Sequence, residues 1–227
     1  MKKSDFVWIL LLLGFTSLIL IESTRTIYER WNLNAPYLMG FIKTLFLASM
    51  GERLVHRIKH QTYFGDRGIV LKAIVWGFLG MVFVLIFQVF SQGVMYAQNN
   101  QLLPMIENAS FWATLLAAFL TSFLMNVFFA PTFMMLHRIT DGYIELSSGK
   151  IKNLNRVKLN EVISKIDFKM FISFVVIKTI PLFWIPAHTI TFLLPAQYRV
   201  LFASYLSIAL GIILTLAKSK NEKGETL

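Results

Sequence analysis

The chain has no cysteine among its 227 residues. That removes disulfides, iron-sulfur clusters and thiolate metal sites. Acidic side chains are scarce as well, 12 Asp plus Glu. They sit in polar connectors or at the ends of apolar runs, so the sequence shows no pair of carboxylates at membrane depth for acid-base catalysis or a proton relay. The 4 histidines are scattered, with no HExxH spacing. A Gly-rich phosphate loop and a GxSxG elbow are also missing. Neither an enzyme nor a resident cofactor or metal is therefore expected.

What is present is apolar. Hydrophobic residues make up 56% of the chain, aromatics 15%, and mean hydropathy is +0.62, well beyond the composition of soluble domains. Crossing about 30 Å of hydrocarbon at about 1.5 Å per helical residue takes about 20 residues. Suitable stretches run over roughly 5–22, 35–50, 69–96, 109–136, 168–187 and 197–217. They predict an all-α polytopic transmembrane bundle of about six spans. Met1-Lys2-Lys3 before the run Phe6 to Ile21 has the charge pattern of a signal peptide. However, Glu22-Ser23-Thr24-Arg25 offers no small-x-small cleavage site, so a retained first span is expected. The expected organisation is one membrane domain: residues 1–34 as an added span and loop, 35–218 as the main bundle, and 219–227 as a tail.

The net charge of +10 is carried in clusters. Lys2 and Lys3, the Arg53 to Lys72 region, the Arg138 to Lys169 region, and Lys218, Lys220 and Lys223 fall on one side of a six-span topology. Arg25, Arg30 and Arg199 fall on the other. Basic loops are retained on the cytoplasmic side, which puts both termini there and makes a bacterial cytoplasmic membrane the simplest address. The charge thus speaks for a bilayer and not for nucleic acid. Expected partners are membrane lipids and a small solute or ion, with a homo-oligomer left open. The segment 147–165 reads as a plain connector between spans.

The stretch Pro181 to Arg199 interrupts the fifth apolar run with three prolines, Pro181, Pro186 and Pro195. Proline removes a backbone donor, so a proline-broken fifth helix is expected, ending or kinking near Trp184 to Pro186, with the chain turning back before Tyr198. Trp184 is expected at the outer headgroup level, and Arg199 as an anchor bonding carbonyls freed by the break. Inside the spans, Gln88, Ser91 and Gln92 share one helical face, as do Ser122 and Asn126. These residues either line an aqueous path or tie helices together. Lys178, about 15 Å into the fifth span, must meet a cavity, a carbonyl or a partner. Lys43 is expected to snorkel to a headgroup. His137 and His188, near opposite interfaces, read as hydrogen-bonded structural residues, with His188 close enough to the break to be a cavity candidate.

Trp184, Pro186-Ala187, Phe192, Pro195 and Tyr198-Arg199 form an ordered set. Upstream, Asn126 precedes Phe129-Ala130-Pro131, Gly77-Phe78 precedes Gly80, and Gly51-Glu52 precedes His56. In this order, from about Pro36 to Lys218, the chain resembles the Mpv-seventeen family, which includes the twenty-two-kilodalton peroxisomal membrane protein. It departs from that pattern at His188 and Thr191, where the family has Gln and Asn, at Met81, which replaces a Pro, and at Ser91 and Met125, which replace acids. The resemblance implies a small helical membrane protein, some of whose relatives are described as solute channels. The expected function is a channel or pore-like conduit for small solutes. A secondary transporter and a non-conducting structural protein that organises lipids or partners stand beside it.

Overall fold

The computed structural model describes residues 2–224, with side chains to residue 213. The tail lysines Lys218, Lys220 and Lys223 fall outside the described side chains, and the last three residues of the expected tail lie outside the described residues. Every element within them is helical: α1 Lys3–Leu20, α2 Glu22–Asn34, α3 Pro36–His60, α4 Ile69–Asn99, α5 Phe111–Phe128, α6 Ala130–Leu146 and the short α7 Ile151–Leu154 and α8 Leu159–Ser164. A continuous run then passes from α9 Phe168–Met170 through a π-helix, Phe171–Trp184, into α10 Ile185–Leu193. The chain finishes with α11 Ala196–Gly224. Among the described residues, α1, α4, α5, the run Phe168–Leu193 and Ala196–Ile213 of α11 are each long and apolar enough to cross a membrane. The protein is an all-α integral membrane bundle whose outward apolar side chains meet lipid.

Local chemistry explains several boundaries. Ser110 caps α5 by accepting from the Ala113 N–H. Pro36 stands in the first turn of α3, where its missing donor costs nothing. Arg57, Lys59 and His60 occupy the last turn of that helix, at the negative end of its dipole. The connector after α3 meets the one after α6 at Gly149, φ +71, where an added Cβ would lie 2.2 Å from the Gly68 nitrogen. Only glycine fits there.

α3 lies at the centre, packed against α4 on one side and α11 on the other. At Gly80 an added Cβ would stand 2.3 Å from the Gly40 carbonyl oxygen, so α3 and α4 touch backbone to backbone. α11 approaches less tightly, a Cβ added at Gly51 lying 3.3 Å from the Ile208 backbone. Small residues at helix crossings are how helices associate in lipid, where no hydrophobic drive separates them from the tails.

One end of the bundle gathers the basic connectors. The Lys2 ammonium donates to the Gln61 carbonyl at 2.9 Å, Arg57 pairs with Asp5 at 2.9 Å, and Arg67 donates to the Ser148 hydroxyl at 3.0 Å. At the opposite end, Tyr28 donates to the Gln197 carbonyl at 3.1 Å, and Tyr198 bonds Glu29.

Several expectations change in detail. The stretch expected as a loop after the first span is the helix α2, which buries Tyr28 and Asn32. The fourth apolar run is two helices, separated at Phe129, with Pro131 in the first turn of α6. The connector 147–165 is partly helical and docks on α6 through Val162, which is fully buried, its Cγ1 2.6 Å from where a Gly142 Cβ would stand.

In the fifth run, Pro181 and Pro186 do not end the helix. Their effect is a change of pattern: i to i+5 hydrogen bonds through Trp184, then α-helix from Ile185. Ile185 donates to the Ile180 carbonyl, and the Thr179 hydroxyl to the Phe174 carbonyl at 3.0 Å, both across the wider turn. The chain turns only at Leu194 and Pro195, before Tyr198. Arg199 stands against that turn, donating to the Leu194 carbonyl at 3.0 Å and the Phe192 carbonyl at 3.3 Å, with its guanidinium over the Phe192 ring.

Two measurements follow from this arrangement. Arg199→Ala should lower stability by about 1.5–3 kcal/mol, the range for a lost charged hydrogen bond, read as a fall in the thermal midpoint of purified protein. Single cysteines at the exposed positions Asn100 and Lys150 should label from opposite sides of the membrane; labelling of both from one side would contradict the topology.

Candidate functional site

A cavity of about 520 Å³ runs into the bundle from its basic end. Its mouth is formed by Arg53, His56, Lys59, His60 and Asp66, a mixed rim in which Arg53 and His56 both hold Asp66, at 2.6 and 2.7 Å. The walls come from six directions: Thr44, Ala48 and Glu52 of α3, Trp76 and Phe83 of α4, Asn126 of α5, Phe133, His137 and Asp141 of α6, Trp184 and His188 of the fifth run, and Ser204 and Ser207 of α11. Toward the opposite end an apolar cluster of Phe87, Ala118, Met125, Phe192, Val200 and Ala203 fills the bundle. The cavity is thus open at one end and plugged at the other.

Two polar groups line it. The inner one is built on Asn126, which is fully buried and donates to the Ser122 carbonyl at 2.8 Å, with His188 Nδ1 at 3.2 Å. The Ser122 hydroxyl stands behind them and donates to the Ile185 carbonyl at 2.7 Å, tying α5 to the first turn of α10. Trp184 stacks on the His188 ring, centroids 5.1 Å apart, with its indole N–H buried and unpartnered. Across the cavity the Thr44 and Ser204 hydroxyls bond one another at 3.1 Å.

The outer group lies nearer the mouth. Trp76 donates its indole N–H to Glu52 at 2.8 Å and packs on the His137 ring, centroids 4.3 Å apart. One imidazole nitrogen of His137 lies 3.9 Å from Glu52 and the other 3.4 Å from Asp141, one turn along α6. Burial lowers the His137 pKa to about 4, so its ring is neutral at pH 7, and raises that of the Asp141 carboxyl to about 6. Lys72 also lines this wall, its ammonium paired with Glu145 at 3.2 Å.

The structure sorts the residues singled out by sequence. Asn126, His188 and Trp184 meet at the inner end of the cavity, with Ser122 directly behind. Trp184 therefore faces inward instead of serving as a headgroup anchor. Gln88, Gln92 and Lys178 are exposed on the outer surface of the bundle and do not line the cavity. Pro186 and Pro195 are exposed as well, and Pro131 is half-buried. Lys43 does not snorkel: it is 2% exposed, its ammonium 2.6 Å from the Asn32 amide oxygen and over the Tyr28 ring.

Sequence reasoning passed over Trp76 and Asp141, read His137 as a structural residue, and met Glu52 only as part of the ordered motif set. The i, i+4 spacing of His137 and Asp141 was the available signal. No protein-family model, curated protein or solved structure matches the chain.

The contrast between inner and outer positions is measurable. Asn126→Leu strips His188 Nδ1 of its partner inside the bundle and should cost about 1–3 kcal/mol. Lys178→Met, on the outer surface, should change stability by no more than about 0.5 kcal/mol in the same thermal measurement.

Proposed function

We propose that the protein is a gated conduit for small solutes across the membrane. The observation that carries this reading is the one-ended cavity: about 520 Å³ of lined space, with a charged mouth and a polar inner end, stopped by an apolar plug. A packed structural bundle has no need of such a space, because an unfilled cavity costs stability. In a conduit it is the vestibule, and the plug of Phe87 and Phe192 is the closed gate. Dewetting between such rings is an established way to block a pore. By the distribution of basic residues the mouth faces the cytoplasm, and the membrane is a bacterial cytoplasmic one. The ordered resemblance to the Mpv-seventeen family points the same way.

The run Phe168–Leu193 supports a second reading, a secondary transporter. Its change from π to α pattern at Trp184, beside His188, puts irregular backbone next to the cavity. That is where carriers place their binding sites.

Purified protein in a planar bilayer and in solute-loaded liposomes separates these readings. A conduit gives stepwise currents or flux that rises in proportion to solute concentration, and Ser207→Trp, which fills the cavity from α11, should reduce that flux several-fold without loss of fold. Saturable, gradient-driven uptake without current steps would assign a carrier. No flux by the wild type in either format would remove both readings.

A further inference from the structure

We propose that Glu52, His137 and Asp141 bind a divalent transition-metal ion of the zinc or manganese class in the cavity wall. One ligand atom from each side chain lies within 4.8 Å of the others. A tetrahedral site with bonds of about 2.1 Å needs ligand separations of about 3.4 Å. His137 Nδ1 stands 3.4 Å from Asp141 and His137 Nε2 3.9 Å from Glu52, so an ion held by one of these nitrogens draws in the carboxylate facing the other by side-chain rotation, from a set that already lies within 4.8 Å. The donors are one imidazole nitrogen and two carboxylate oxygens. This mixture suits borderline cations better than calcium or magnesium, which prefer oxygen alone.

A second observation is independent of the spacing. One nitrogen of His137 and one oxygen of Asp141 are shut from solvent and make no hydrogen bond. Buried polar groups are normally satisfied, and the idle nitrogen is Nε2, the one on the Glu52 side of the ring, so an ion there would give it the partner it lacks. The surroundings are those of a ligand set already held in place. The indole N–H of Trp76 donates to Glu52 Oε1, the oxygen that faces His137, and so orients the carboxylate, the support that metal-binding carboxylates usually receive.

Two cations face the cluster, and neither takes its place. Lys72 is held by Glu145 at 3.2 Å, and Arg138 is exposed, its neighbour His137 turned inward. Glu52 and Asp141 offer the ion two carboxylates, and the open mouth gives it a route from the basic end.

The test uses untagged full-length protein in nanodiscs, stripped with chelator and titrated with Zn²⁺ and with Mn²⁺ against a chromophoric competitor. Binding of one ion per chain is expected, with a rise in thermal midpoint. Glu52→Gln and Asp141→Asn, close in shape to the natural side chains, should each weaken binding at least about tenfold while circular dichroism stays unchanged. Trp76→Phe should weaken it by about ten- to a hundredfold, as loss of ligand support does. His60→Ala, at the mouth, should leave it intact. X-ray absorption of the loaded protein should show nitrogen and oxygen donors. Failure of the wild type to bind either ion at micromolar concentration, or equal binding by the Glu52 and Asp141 variants, would overturn the proposal. Neither result depends on whether the protein conducts.

Discussion

Everything else in this bundle depends on the closeness of three backbones. α3 touches α4 where Gly40 meets Gly80, and touches α11 where Gly51 meets Ile208. In lipid the gain from helix association is dispersion between well-fitted surfaces; at Gly40 and Gly80 no Cβ intervenes, and at Gly51 none does on the α3 side. α3 is thereby clamped along its length and gives the site a fixed wall. Thr44, Ala48 and Glu52 lie on that wall, which is set by the close packing at Gly40, Gly80 and Gly51, the last of which itself lines the cavity.

The fifth run solves a different problem. Two prolines within an apolar helix would strand carbonyls where no water reaches. The chain answers with the wider π pattern through Pro181 and a return to α pattern at Ile185. The Ser122 hydroxyl meets the Ile185 carbonyl at that junction. The same change of pattern delivers Trp184 and His188 to the inner end of the cavity. Backbone satisfaction and site construction are thus one event in this segment.

How much of this was legible beforehand follows from the physics of each feature. The helical membrane character was fully legible, because apolar length and composition decide it without reference to packing. The meeting of Asn126 with His188 was half legible: each was singled out, but only the fold pairs them. For Lys178 only the depth was legible, from helical rise, and its direction was left open between a cavity, a carbonyl and a partner; the side a residue faces depends on turn width, which the π-helix alters. Glu52 and Asp141 were read as residues at span ends. A cavity that reaches in from the basic end turns such positions into interior ones, and no one-dimensional pattern shows a cavity. α2 was taken for a loop because its polar residues outnumber its apolar ones, although Tyr28 and Asn32 fall one turn apart.

The burial of Lys43 bears on how α3 stays in the bilayer. α3 is not among the helices apolar enough to cross on their own, and a centrally placed ammonium costs a lone helix at least about 2.5 kcal/mol. Asn32 and Tyr28 of α2 supply the oxygen and the ring that receive it. The stability of α3 in lipid is therefore coupled to its neighbours: α2 receives the ammonium, and α4 closes on the helix through the glycine contact. Without Asn32 and Tyr28 of α2, the buried ammonium of this segment would stand in the bundle without its amide oxygen and its ring.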